Sequence, residues 1–174
     1  MHALRERLDR LATPLHALLA LSVLWLLATS FWLGLYRRVP QDPGFINASH
    51  VAVGFAVLLL VAIYVLGCTL GGRWRLYFPW LAGQGGALRR DLANLARGER
   101  PMSEGGGLFG AIEGLLLVAL LAAGVTGAAW YVMQGADAAL AWRTAHVVAA
   151  RSAAALLLLH ALSVTVHLID LVRD

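Results

Sequence analysis

Four long apolar runs limit what this chain can fold into, at about 13–36, 48–70, 108–132 and 142–170. Each is long enough to cross ~30 Å of hydrocarbon. Backbone groups in lipid must find hydrogen-bond partners within their own segment, so each run predicts a transmembrane helix. Of 174 residues, 60% are hydrophobic and 14% charged, far from the balance of a soluble domain of this length. The expected fold is all-α, an integral-membrane four-helix bundle forming a single domain over residues 1–174. Nothing outside the four runs is large enough for a catalytic domain. The first run follows RERLDR, is longer than a signal-peptide core of roughly 7–15 residues, and ends without an A-x-A cleavage site, so it is expected to be a retained helix.

All 14 basic residues are arginine, and their placement gives an orientation. Arg5, Arg7 and Arg10 precede the first helix, and Arg73, Arg75, Arg89, Arg90, Arg97 and Arg100 lie between the second and third. The other two loops hold only Arg37 and Arg38, with Arg143 at the edge of the fourth helix. The positive-inside rule then places both termini and the middle loop in the cytoplasm. Trp32, Tyr36, Trp130, Tyr131 and Trp142 would mark the outer interface, and Trp74, Tyr77 and Trp80 the inner one. A pI near 10.0 therefore reflects topology and anionic lipid, and no nucleic-acid partner is expected. Cys68, the single cysteine, supports neither a disulfide framework nor covalent haem attachment, and reads as a small packing residue. The outer loops, about 37–47 and 133–141, turn at Pro40, Pro43, Gly44 and Gly135. The inner loop, about 71–107, contains ALRRDLANLARGER, where Leu88, Leu92 and Leu95 recur at helical spacing and predict a short helix on the inner surface.

The fourth run raises the functional question. HVVAARSAAALLLLHALSVTVHLIDL, residues 146–171, carries His146, Arg151, His160, His167 and Asp170. Ionisable groups inside a membrane are costly and point by default to function. His146 and His160 are fourteen residues apart, two heptads, so they share a helix face at ~21 Å separation. His16 lies near the inner start of the first helix and His50 near the outer start of the second. Depth thus sorts four histidines into two pairs, His50 with His146 outside and His16 with His160 inside. Two pairs at two depths, each joining two helices, match the needs of two bis-imidazole haems. Bare-ion transport would instead call for acidic or cysteine ligands clustered at one depth. Gly54, one turn after His50, and the small residues Ala149, Ala150 and Ser152 to Ala155 would give a porphyrin room, or serve close helix contact.

These residues resemble the bacterial cytochrome b561 and nickel-hydrogenase cytochrome b superfamily, and within it most nearly the gamma subunit of formate dehydrogenase. That resemblance implies four helices, a cytoplasmic N-terminus and two haem b groups. It implies haem-iron ligands at His146 and His160, at His16 in ATPLHALLAL, and at His50 in NASHVAVGF with Gly54 following. RLYFPWLAGQGGALRRDLANLARGERP is similar to the family's inner loop. Two positions depart from the pattern: Ala17 stands where the family often has Trp, and SEGGGLFG, Ser103 to Gly110, lacks the Asn and Gln that help bind quinone in the formate dehydrogenase type.

Other polar groups each have two readings. His167 either assists quinone or its protons, or faces headgroups. Glu113, the only charge in the third helix, either takes up protons or snorkels. Arg151, between the two ligand levels, would meet a haem propionate or a helix carbonyl. Arg143, with Arg37 and Arg38, would bind outer propionates or flank the membrane, and Asp170 would be solvated. The expected function is electron transfer between membrane quinone and a redox partner at the outer face, an iron–sulfur or cytochrome subunit, with the chain acting as the electron-transfer subunit of an oxidoreductase. A second reading is a stand-alone cytochrome b561-type oxidoreductase acting on a small molecule such as superoxide. A third is a haem-free membrane anchor.

Overall fold

The computed structural model describes residues 2–33, 42–99, 101 and 106–173, with side chains for 14–33, 42–99, 101 and 106–165. Every regular element among them is helical: α1 His2–Ser30, α2 Gly44–Leu70, α3 Trp74–Tyr77, α4 Gly85–Ala96, α5 Leu108–Val132 and α6 Ala139–Arg173. Three of these, α2, α5 and the Ala139–Thr165 part of α6, are long and apolar enough to cross a membrane. The apolar part of α1, Pro14–Ser30, is shorter. α1 therefore does not run to residue 36 as its hydropathy suggests; a turn at Phe31 and Trp32 follows Ser30. At its other end it extends back to His2 through the arginine-bearing segment, with Pro14 inside it, because a helix can continue into water where lipophilicity stops. α2 and α6 likewise begin a few residues before their apolar runs, at Gly44 and Ala139. Arg37, Arg38, Pro40 and Ser103 lie outside the described residues.

The buried residues are mostly small or β-branched, including Val23, Val57, Val61, Ala111, Ala119 and Ala153. Larger apolar side chains point away: Leu21 is 67% exposed, Leu59 62% and Leu158 68%. In water such a surface would be a severe liability; in hydrocarbon it has no cost, and small residues let helices approach. Trp32, Trp80 and Tyr131 are exposed near helix ends, as aromatic belts require. Cys68 is buried and carries no disulfide.

The chain forms two compact units. The first is Met1–Gly67 with Leu120–Arg151. In it α1 meets α2 through an edge-on Trp25–Phe45 contact at 6.1 Å. α2 meets α5 through Phe55 and Tyr131, 5.6 Å apart. Leu58 of α2 also packs so closely on Gly124 of α5 that a Cβ there would sit 2.9 Å from it.

The second unit is Cys68–Ala119 with Ser152–Asp174. Here the middle loop is built onto the start of α5. Gly110 and Gly114 face the carbonyls of Leu76 and Tyr77, and a Cβ at either would collide with those oxygens. Pro79 is fully buried beside them in sequence. The helix expected from the leucine spacing is α4, and Leu92 and Leu95 stay 49% and 53% exposed on it. Asp91 is the surprise. It is 3% exposed, and its Oδ2 accepts from the Leu108 backbone N–H at 2.8 Å. Gly107 permits this approach, since any side chain there would strike the carboxylate. The first N–H groups of α5 have no partners within their own helix, and a carboxylate placed there also complements the helix dipole. Asp91→Ala should destabilise the protein by about 1–2 kcal/mol, while Asp91→Asn, which still accepts, should lose less. Chemical unfolding in detergent checks both.

Candidate haem site

Three of the four histidines singled out by depth can be placed in detail, and they share one feature. Each has an oxygen near Nδ1, at hydrogen-bond distance for His50 and His146. His50 of α2 lies 2.8 Å from Thr29 Oγ1 of α1. That hydroxyl has one proton, directed to the carbonyls of Trp25 at 2.8 Å and Leu26 at 3.2 Å. With the proton so directed, Thr29 accepts from His50 in the tautomer that carries its proton on Nδ1. His146 of α6 lies with Nδ1 2.8 Å from the Ala123 carbonyl of α5. A carbonyl can only accept, so the proton is again on Nδ1. His160 of α6 has its Nδ1 3.7 Å from Glu113 Oε1 of α5, an ion-pair approach longer than a hydrogen bond.

The consequence is chemical. With Nδ1 protonated and engaged, Nε2 of a neutral ring holds the free lone pair. Metal-ligating histidines are held in this way, the second ring nitrogen donating to a carbonyl, hydroxyl or carboxylate that fixes tautomer and orientation. The donor set thus fits axial imidazole ligation of a porphyrin iron. Among the described residues no group of three or more His, Cys, Asp and Glu converges as a bare-ion cage would need.

In the first unit, His50 and His146 are close enough to interact electrostatically. Both rings are partly buried. Two small groups make this arrangement physically accessible. Thr29, 4% exposed, supplies an acceptor on α1. Gly127 of α5 lets the His146 ring lie against the backbone, since a Cβ there would be 2.9 Å from Nδ1 and 3.1 Å from Cε1. The space beside Gly54 is open, with nothing within 4 Å of where a Cβ would stand.

The other singled-out residues are placed as follows. His16 belongs to the first unit and is exposed on α1. Arg143 lines a cavity of about 220 Å³ with Trp130, Gly135, Ala136, Asp137, Ala139 and Leu140. Arg151 is exposed on α6. His167 and Asp170 lie on the backbone of α6, and their side chains are outside the described residues. Thr29, Ala123, Gly127 and Asp91 were not singled out from sequence. A carbonyl acceptor has no sequence signature. Thr29 is one of many hydroxyls that simply bond the preceding turn, and Gly127 sits in a run already rich in glycine and alanine.

Comparison with known families agrees with this chemistry: the family model described as prokaryotic cytochrome b561 matches residues 7–171. Comparison with curated proteins and with solved structures returned no match. A match over nearly the whole length, on a chain of membrane-capable helices, shows that the protein belongs to the prokaryotic cytochrome b561 family, as a multi-pass membrane b-type cytochrome of electron transfer that binds haem.

Proposed function

We propose that this chain holds two haem b groups, one between His50 and His146 and one between His16 and His160, and passes electrons between a redox partner and membrane quinone. The observation that carries the ligand assignment is the Nδ1 contact of His50 and of His146 with an oxygen at 2.8 Å. Bound haem supplies the one-electron chemistry, while the protein sets ligation, spacing and polarity. Thr29 and the Ala123 carbonyl hold two of the rings in the tautomer that presents Nε2. Arg143 and Arg151 are cations available to propionates on α6, and the open side of Gly54 leaves room for a flat ring.

The arginine distribution supports an orientation with both termini cytoplasmic, which makes the His50 and His146 level the outer one. The redox partner in this reading is an iron–sulfur protein or cytochrome at the outer face. Glu113 on α5 and His167 on α6 are the proton-carrying groups expected to serve quinone at the inner side; likeness to the formate dehydrogenase gamma subunit favours that arrangement.

A pyridine haemochrome assay on the purified protein should give two b haems per polypeptide, both extractable by acid acetone. One haem per chain would refute the two-level assignment, and haem that resists extraction would refute non-covalent attachment.

A further inference from the structure

We infer that Glu113 is a positioning residue for His160 and makes the surroundings of that one ligand anionic, so that the two haems differ in reduction potential through this carboxylate. The inference rests on the proposed ligation by His160. It begins from a contrast between His50, His146 and His160. His50 and His146 are held by neutral oxygens, a hydroxyl and a carbonyl, each at 2.8 Å. His160 instead faces a carboxylate, Oε1 lying 3.7 Å from Nδ1. The His160 side chain is 16% exposed and that of Glu113 40%, so the pair sits at the edge of the protein interior. Glu113 also lies between Gly110 and Gly114, whose contacts with the Leu76 and Tyr77 backbone fix this part of α5. The carboxylate is therefore carried by a turn that the middle loop holds in place.

The electrostatic sign follows from charge counting. A bis-imidazole ferric porphyrin has a net charge of +1 at its centre and the ferrous form has none, so a nearby negative charge favours the ferric form. Only the ring of His160 separates Glu113 from the iron that Nε2 of His160 would bind. Charges at such short range interact appreciably even when partly screened. The same carboxylate draws the Nδ1 proton of His160 and makes the imidazole a stronger donor, which again favours ferric iron. Both effects lower the potential of the haem bound at His160. His50 and His146 meet neutral oxygens instead.

The test is an optical redox titration of the full-length, haem-loaded protein in detergent, with low-temperature electron paramagnetic resonance of the oxidised form. Glu113→Gln should keep both haems and raise one midpoint by about tenfold in the reduction equilibrium, ~59 mV for one electron. The resonance of that same haem should shift, while the other haem is unmoved in both readouts. Glu113→Asp, which withdraws the charge by one methylene, should move the same haem in the same direction by less. If the Gln variant does not accumulate, the Asp variant carries the test alone. The haem that moves must be the one lost in His160→Ala. Unchanged potentials and resonances, equal shifts of both haems, or a shift in the haem lost in His50→Ala would each overturn the inference. Failure of the ligation reading is distinguishable, because it shows in His160→Ala with Glu113 intact: that variant would keep both haems.

Discussion

Replacing either His50 or His146 by Ala should remove one and the same haem, about half of the total, and replacing either His16 or His160 should remove the other. The expectation is geometric. His146 and His160 stand fourteen residues apart on the continuous helix α6, which separates them by ~21 Å along its axis. One porphyrin iron cannot bind both, so each requires a second ligand at its own level. For His146 the proposed ligand is His50, which lies within its electrostatic reach in the same unit. Loss of one axial imidazole leaves an iron bound from one side, and non-covalent haem held in this way is expected to be lost on purification. His167→Ala should retain both haems. Redox titration and difference spectra of the single variants would show which components vanish together. Loss of the same haem in His16→Ala and His146→Ala, or loss of either in His167→Ala, would redraw the ligand set.

A comparably large effect is expected from a residue that bonds to nothing. Gly127→Val should abolish the haem that depends on His146 while leaving the other in place. A Cβ at this position would stand 2.9 Å from His146 Nδ1 and 3.1 Å from Cε1, closer than carbon normally approaches either atom. The ring can relieve the clash only by moving, and the movement breaks its 2.8 Å bond to the Ala123 carbonyl. That bond fixes the tautomer and aims Nε2, so a shift of a few tenths of an ångström acts directly on the ligand. Gly127→Ala adds only the Cβ and should retain haem with an altered spectrum. Gly67→Ala serves as the control, since a Cβ there meets nothing within 4 Å. Full retention of the His146-dependent haem in Gly127→Val, with an unchanged spectrum, would show that this contact does not hold the ligand.

The limits of sequence reading differ from residue to residue. The helices α2, α5 and α6 were legible because a run of apolar side chains long enough for hydrocarbon is a property written along the chain. Their exact ends were not, since α2 and α6 begin a few residues before their apolar runs, and hydropathy does not say where a helix starts. His50, His146, His160 and Glu113 stood out because each is an ionisable group with an energetic reason not to be where it is. α4 was legible from the spacing of Leu88, Leu92 and Leu95, but the inward role of Asp91 was not. On a surface helix an aspartate between arginines reads as solvated, and only the approach of Gly107 and Leu108 makes it a cap.

By itself, then, the sequence determined an all-helical membrane chain with two histidines fourteen residues apart on its last helix, because length, hydropathy and charge are summed along one dimension. Tertiary structure alone decided which oxygen meets each hydrogen-bonded imidazole: Thr29 for His50 and the Ala123 carbonyl for His146. The physical reason is that a hydrogen bond is settled within a few tenths of an ångström between helices distant in the chain. One of these acceptors is a backbone atom that every residue possesses, and its accessibility depends on the absent side chain of Gly127.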